Sequence, residues 1–405
     1  MHVYLIATLD TKGAEAEFVR RRLAQQGASV KLVDSGCQGE PATTADIPRE
    51  AVFEAAGTSL QEMRAKGDRG AAVETAARGA AAIVKHAYER GELAGVIGIG
   101  GSAGTTIATA AMRVLPLGVP KVMVSTLASG QVRPYVADKD LFMLNSVVDI
   151  AGLNRISRPI LANAAAAMAG MIGAPPLPAG EDRPLIAATM FGVTTPCVTR
   201  AREVLEAAGY EVLVFHATGT GGRAMESLID DGIIAGVLDI TTTELADELV
   251  GGVLTAGPER LTAAARRGIP QVVSVGALDM VNFGPRDTVP PEFASRKLHI
   301  HNPTITLMRT TPEENAQLGA EIGRKVAAAP PGTAEILLPK HGVSAIDREG
   351  GPFDDPEARK RLYDAIRANA GAVPLRELDL HINDPAFAEA AADALLQMLR
   401  AKATA

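Results

Sequence analysis

Apolar runs bounded by glycine, serine or acidic residues punctuate the chain, and they do not alternate with polar positions. "VYLIATL", "SVKLVD", "GVIGIG" and "KVMVST" are apolar almost throughout, as strands must be when both faces of their sheet are covered. Between them lie helical patterns, among them Glu15 to Gln26 and Gly70 to Arg90. Strand and helix in alternation predict a parallel sheet with helices on both faces.

The pattern breaks at "GAPPLPAGEDRP", Gly173 to Pro184, where proline, glycine and charge replace periodic sequence, and then it starts again. Four blocks repeat in order. "LIAT" at Leu5 matches "LIAAT" at Leu185, and "GASVKLVD" at Gly27 matches "GYEVLVF" at Gly209. "AGVIGI" at Ala94 matches "AGVLDI" at Ala235, and "PKVMVS" at Pro120 matches "PQVVSV" at Pro270. The second and third blocks lie about forty residues further apart in the first half, which a helical insertion explains. The expected fold is α/β, two Rossmann-like doubly wound parallel-sheet domains over residues 1–174 and 184–405, arisen by duplication and facing each other across a cleft.

Composition narrows the partners. The 405 residues exceed what one core accommodates, and only 3% are aromatic, with no tryptophan, so stacking platforms for single-stranded nucleic acid are missing. A net charge of −7 without a basic run offers little to a phosphate backbone or an anionic membrane. "MHVYLIATLDTKG" reads as a first strand and no leader, and the alanine-rich "PILANAAAAMAGMIGAPPLPAG" is broken by proline short of a membrane span. Two cysteines, Cys37 and Cys197, without metal-ligand spacing suit a reducing compartment, so a cytoplasmic protein is expected.

In a doubly wound sheet ligands sit beyond the carboxyl ends of the strands. After "GVIGI", Gly98, Gly100 and Ala103 fit G-x-G-x-x-A, while Gly101, Ser102, Gly104 and Thr105 add bare amides and hydroxyls before a helix. This is the chemistry of a phosphate site at a helix N-terminus. A dinucleotide is disfavoured, because the loop follows a later strand and "PKVMVST" supplies no ribose-binding carboxylate; a Walker loop lacks its lysine. The same glycines would also serve a tight strand-to-helix turn. In "FHATGTGGRAMESL", Gly219, Gly221 and Ala224 repeat the pattern, Gly222 adds another bare amide, and Arg223 could grip a phosphate.

Other strand ends are polar. "LDTKG" offers Lys12, "STLASG" Ser125 and Thr126, and "FGVTTPC" Thr194 and Thr195, hydroxyls that N-caps would equally explain. Near the carboxyl end His341 and His381 are candidate acid/base groups, with Lys340, Ser344, Asp347 and Asp354 nearby, while Asp355 and Asp384 before prolines read as helix caps. "HIHNP" sets His299 and His301 on one side of a strand, without a third metal ligand, and Cys197 beside a helix start could have a lowered pKa.

The segments "YLIATLDTKGAEAEFVRRRL", "GVIGIGGSAGTTIATAAMRVLPLGVPKVMVSTLASG", "DITTTELADELVGG" and "HINDPAFAEAAADAL" resemble the Tm-one-like ATP-binding family, in four blocks spanning the chain. The resemblance implies two Rossmann-like subdomains, ATP with magnesium as ligand, a homodimer, and a partner similar to the barrel-type domain that follows this region in the family's tomato member. It places nucleotide binding on Gly98 to Thr105; Gly219 to Arg223 rests on the loop chemistry alone. Three functions stay open: an ATP-binding protein of small-molecule metabolism, an isomerase or hydrolase of a phosphorylated or carboxylated metabolite, and a non-catalytic protein-binding module stabilised by nucleotide.

Overall fold

The first apolar runs become β1 (His2–Ala7), β2 (Val30–Asp34), β3 (Leu93–Gly100), β4 (Lys121–Ser125) and β5 (Phe142–Asn145). They pair in parallel in the order β2-β1-β3-β4-β5. Successive side chains point to opposite faces of a strand. Tyr4, Ile6, Val96 and Met123 accordingly pack in one core with helices Arg69–Glu89 and Ser102–Arg113. Val3, Leu5, Ile97 and Val122 pack in another with helices Leu9–Gln25 and Ser157–Gly173. Both faces are buried, which is why the strands show no alternation.

The computed structural model describes residues 1–175, 180 and 182–403, so the predicted linker, Gly173 to Pro184, lies partly outside the described residues. The chain divides into two compact units, Met1–Pro178 and Ala179–Ala405.

Unit 2 contains β6 (Leu185–Met190), β7 (Glu211–His216), β8 (Ile234–Thr241), β9 (Gln271–Gly276), β10 (Met280–Phe283), β11 (Leu298–Asn302), β12 (Ile305–Arg309), β13 (Ala334–Pro339) and β14 (Leu375–Leu378). Its main sheet runs β14-β13-β9-β8-β6-β7, all parallel. Ile186, Leu238 and Val272 face helices Thr195–Ala207 and Pro385–Ala403, while Val273, Val275 and Ile336 face helices Pro312–Ala327 and Pro356–Asn369. The protein is therefore an α/β protein of two doubly wound parallel sheets, as the apolar pattern predicts.

The four repeated sequence blocks fall on β1 to β4 and on β6 to β9, in the same spatial order. The likeness extends to an irregularity. In unit 1 His2 pairs with Leu93 but Val3 with Gly95; in unit 2 Leu185 pairs with Ile234 but Ile186 with Gly236. One extra residue, Ala94 or Ala235, is absorbed at the same place, and the following N–H, of Val96 or Val237, donates to Pro120 or Pro270 at 2.9 Å in both.

Two features distinguish the units. Between β2 and β3 run helices Arg49–Ala55, Leu60–Lys66 and Arg69–Glu89, where unit 2 has only Thr220–Asp230; this is the predicted insertion. Unit 2 also carries an antiparallel sheet, β10-β12-β11, of which the sequence shows only the strand of "HIHNP", β11. Among the described residues no helix is long and apolar enough to cross a membrane.

Candidate functional site

The chain leaves β1 for β2 on one side and returns to β3 on the other, so the strand order reverses between β1 and β3. Helices leaving such neighbours in opposite directions part at the carboxyl ends and open a crevice. Here that crevice is a recess of about 220 Å³, lined by Thr8 to Lys12 without Leu9, by Cys37, Gln38 and Arg69, and by Gly101 to Gly104.

The loop after β3 is built to present backbone. A Cβ on Gly98 would lie 2.4 Å from the Ala108 Cβ, one on Gly100 2.8 Å from the Gly104 Cα, and one on Gly104 3.1 Å from the Ile99 carbonyl oxygen. Those three glycines let the helix Ser102–Arg113 sit against its strand. Gly101 differs, since a Cβ there meets nothing nearer than the Thr126 Oγ1 at 3.7 Å. It is the N-cap residue and has no side chain to cap with, so the Ser102, Ala103 and Gly104 N–H groups have no protein acceptor among the described residues. The Thr105 Oγ1 is buried against the Ser125 Oγ at 2.7 Å and takes a supporting role beneath the loop.

The loop after β1 brings the charge. Leu9 N–H donates to the buried Asp34 at 3.0 Å, fixing the first helical turn, and the helix kinks at Lys12, whose φ is −126°. Burial pushes the Asp34 carboxyl above its ordinary pKa, against the pull of the Gly36 and Leu9 N–H groups. Lys12 is half-buried on the wall of the recess, and among the described residues no carboxylate pairs with it. Asp10 is occupied, accepting from the Gln38 and Gly39 N–H groups at 3.1 and 3.2 Å, which holds the loop after β2 beside the recess.

Unit 2 reverses at the equivalent place, between β6 and β8, and there the protein fills its own crevice. Arg260 is fully buried and donates to Asp239 at 2.5 and 2.7 Å and to Glu244 at 2.7 Å, with Glu226 at 3.3 Å. Burial opposes its charge, but the three carboxylates outweigh burial and raise its pKa well above the ordinary value. Thr189 donates to Asp239 at 2.7 Å, and Thr194 and Thr241 meet at 2.8 Å. Sequence reading missed this cluster, although an aspartate inside the apolar run "AGVLDI" is a signal that a buried partner must exist.

The second glycine loop follows β7, an edge strand, and opens the helix Thr220–Asp230. It does bind an oxyanion, and that oxyanion is Glu244. Gly219 and Gly222 N–H donate to the Glu244 Oε1 at 2.6 and 3.0 Å, and a Cβ on Gly222 would lie 2.1 Å from the Glu244 Oε2. A Cβ on Gly221 would collide with the His216 carbonyl oxygen at 1.9 Å, and Gly219 has a φ of +82° that favours glycine. Arg223 donates to the Thr255 carbonyl at 2.8 Å.

Beyond β13 and β14 lies a larger cavity, about 880 Å³, lined by Lys340, His341, Arg348, Arg359, His381 and Asn383 among others. His381 is fully engaged: its Nε2 donates to the Ser344 carbonyl at 2.9 Å while its Nδ1 accepts from the Asn383 N–H at 3.1 Å. His341 is exposed and holds Asp379 through Nε2 at 3.1 Å. Asp355 caps the helix Pro356–Asn369 through the Ala358 N–H at 3.0 Å, and Asp384 accepts the His381 N–H at 2.7 Å. Ser344 is buried against Asp279 at 2.8 Å, and Asp347 holds Arg359 at 2.6 Å.

Two minor candidates fare differently from their sequence reading. Cys197 is buried and burial pushes its thiol up to about 12, the reverse of the lowering expected at a helix start; Cys37 is pushed up to about 11 by burial and by Asp10. In β11 the pairing slips between Ile300 and Asn302, a bulge that interrupts the alternation meant to align His301 with His299, and His299 lies edge-on against Phe353 at 6.1 Å. No group of three or more His, Cys, Asp or Glu placed to hold a metal occurs among the described residues.

Comparison with known proteins adds relatives of full length. Residues 1–176 match the N-terminal domain, and 183–399 the C-terminal domain, of an uncharacterised protein family, UPF0261. A UPF0261 protein of Clostridium tetani is 52% identical over 400 residues, 98% of each chain. One from Rhizobium meliloti is 49% identical, over 96% of this chain and 97% of its own. The ToMV resistance protein Tm-1 of Solanum lycopersicum is 42% identical over 98% of this chain, which spans 55% of the tomato protein. Among solved structures, a UDP-N-acetylglucosamine 2-epimerase from Rickettsia bellii aligns over 99% of this chain and 96% of its own at 10% identity, with a TM-score of 0.24, too low to bear on fold or function. With both family domains matched in order along nearly its whole length, the chain belongs to the UPF0261 family and is related to the tomato Tm-1 protein.

Proposed function

We propose that unit 1 binds the phosphate groups of a nucleotide, ATP carried with magnesium, in the recess between the ends of β1 and β3. The observation that carries this reading is the pairing, on one small recess, of an uncapped helix N-terminus at Ser102 to Gly104 with the half-buried ammonium of Lys12, which has no carboxylate partner among the described residues. Bare N–H groups and the positive helix end favour an oxyanion, and Lys12 would supply the full charge that the loop lacks. Gly101 leaves room for close approach. A recess of about 220 Å³ suits phosphates, with the nucleoside outside it. Among the described residues no group of three or more His, Cys, Asp or Glu placed for a metal lines the site, and in this reading magnesium is carried by the phosphates.

ATP itself, the homodimer and the barrel-type partner come from the family resemblance; the length of the tomato relative beyond the matched part supports such a partner. The Gly219 to Arg223 loop is left out of the nucleotide site, because its amides already hold Glu244.

A ligand that binds the native state raises its melting temperature. Thermal shifts are to be compared for ATP, ADP, NAD and inorganic phosphate, with and without magnesium, on the wild type, Gly101→Asp and Lys12→Met. ATP is expected to raise Tm in the wild type, to lose its effect in Gly101→Asp, and to bind about tenfold more weakly to Lys12→Met. An ATP shift undiminished in both variants, or no shift at all, defeats the assignment.

A further inference from the structure

We propose that the helical segment inserted between β2 and β3 seats the nucleoside, so that the ligand of unit 1 is held by its base and ribose as well as by its phosphates. The inference rests on the phosphate reading of the recess between β1 and β3, and it concerns the part of the ligand that this recess leaves outside.

The insertion is built onto the recess. Arg69 and Val73, from the first turns of the helix Arg69–Glu89, stand on its wall. The short helix Leu60–Lys66 begins with a reciprocal cap, the Ser59 Oγ accepting from the Glu62 N–H and the Glu62 carboxylate from the Ser59 N–H, each at 3.1 Å. That helix carries Arg64, whose Nε donates to the Cys37 carbonyl at 3.1 Å and whose Nη2 donates to the Gln38 carbonyl. Asp10 holds the Gln38 and Gly39 N–H groups of the same loop, which is thus pinned by both. Unit 2 has a single helix, Thr220–Asp230, in place of this segment, and its crevice is closed.

A second recess, of about 210 Å³, adjoins the first. The two share Cys37, Gln38 and Arg69, and the second is otherwise lined by Met63, Arg64, Gly67, Asp68 and Ala72. Pockets that hold a whole small molecule run from roughly 300 to 1,000 Å³, a size that neither recess reaches alone and the two reach together.

Their linings differ as the two ends of a nucleotide differ. The first offers bare amides and Lys12, whereas the second has buried apolar side chains, Met63 and Ala72, with the exposed guanidiniums of Arg64 and Arg69 at its edge. A thioether and a guanidinium plane both suit the face of a flat heterocycle. Asp68 caps the helix Arg69–Glu89 by accepting the Ala71 N–H at 3.0 Å through Oδ1, and among the described residues no donor meets its other oxygen. A carboxylate so placed accepts well from ribose hydroxyls. Arg69 lies where the recesses meet, and no carboxylate pairs with it among the described residues.

The test compares, on the full chain with magnesium, ATP, inorganic tripolyphosphate, which has no nucleoside, and 8-azido-ATP, whose photoreactive group is on the base. ATP is expected to bind about tenfold more tightly than tripolyphosphate. Irradiated 8-azido-ATP should label the chain between Leu60 and Val73, and excess tripolyphosphate should prevent it. Asp68→Asn, which keeps a capping side chain, should weaken ATP about fivefold and leave tripolyphosphate unchanged. Tripolyphosphate binding as tightly as ATP, preventable label confined to other residues, or an ATP affinity unchanged in Asp68→Asn overturns the nucleoside seat and leaves the phosphate reading standing. Binding of neither ATP nor tripolyphosphate overturns both.

Discussion

The two units reverse their strand order at corresponding places, and they use the resulting crevices in opposite ways. In unit 1 the crevice is open, floored by bare amides and flanked by Lys12. In unit 2 it is closed by Arg260, three carboxylates and a set of buried threonines. Topology therefore decides where a crevice forms, and a few side chains decide whether it is a binding site or a buried polar core. The glycine signature reads alike in both, since an amide cradle accepts a ligand's phosphate and a protein carboxylate by the same geometry.

The comparison breaks most sharply at Arg260. Replacing it with methionine leaves Asp239 and Glu244 ionised and buried without their counter-ion, and should destabilise unit 2 by about 3–5 kcal/mol in denaturant unfolding. An Arg260→Met protein within experimental error of wild type would mean that the cluster is hydrated and the crevice not closed. Next in size, the glycines of the two loops should respond unequally. Gly222→Ala drives a Cβ into Glu244 and is expected to lower stability by about 2–4 kcal/mol, whereas Gly101→Ala, with open space, should change it by under about 1 kcal/mol. Equal losses would erase the distinction drawn between the loops.

The smallest effect is a pH dependence centred on a buried carboxyl of the closed unit. Asp247 is pushed up to about 7, chiefly by burial, although the Asn282 side chain and N–H and the Leu254 N–H favour its ionised form. Between about pH 4, where an unfolded aspartate ionises, and 7 the folded state holds a proton that the unfolded state has released. Its contribution is therefore fully present below about 4 and lost as pH rises through 7. Chemical denaturation across that window should show a decline that Asp247→Asn reduces by about 1–3 kcal/mol. Parallel pH profiles for the two proteins would place the titration elsewhere.

Much of the fold was legible because doubly burying a strand leaves an unmistakable mark: "GVIGIG" and "AGVLDI" cannot be half-exposed, and the four blocks that recur in order mark β1 to β4 and β6 to β9. Of the antiparallel β10-β12-β11 sheet only β11 was legible, through "HIHNP"; β10 and β12 are short strands that belong to this sheet and not to the main one, in a stretch that Pro285, Pro290 and Pro291 interrupt. At the site, the role of Gly101 to Gly104 as an amide-presenting loop could be read locally. That Glu244 fills the other loop could not, because it lies 22 residues from Gly222 and only the fold brings them to 3.0 Å. His381 is similar: its neighbours in sequence suggest an acid/base group, and only the approach of the Ser344 carbonyl from 37 residues away shows both nitrogens engaged.

The Glu244 carboxylate has one property that no diffusible anion shares. It is tethered by the backbone, so its effective concentration at the Gly219 and Gly222 amides is set by chain geometry and does not fall on dilution. The cradle in unit 2 is thus saturated whatever the surrounding solution contains, while any occupancy in unit 1 must follow the supply of its ligand. One half of the chain carries its own anion in a fixed place, and the corresponding amides of the other half face an open recess.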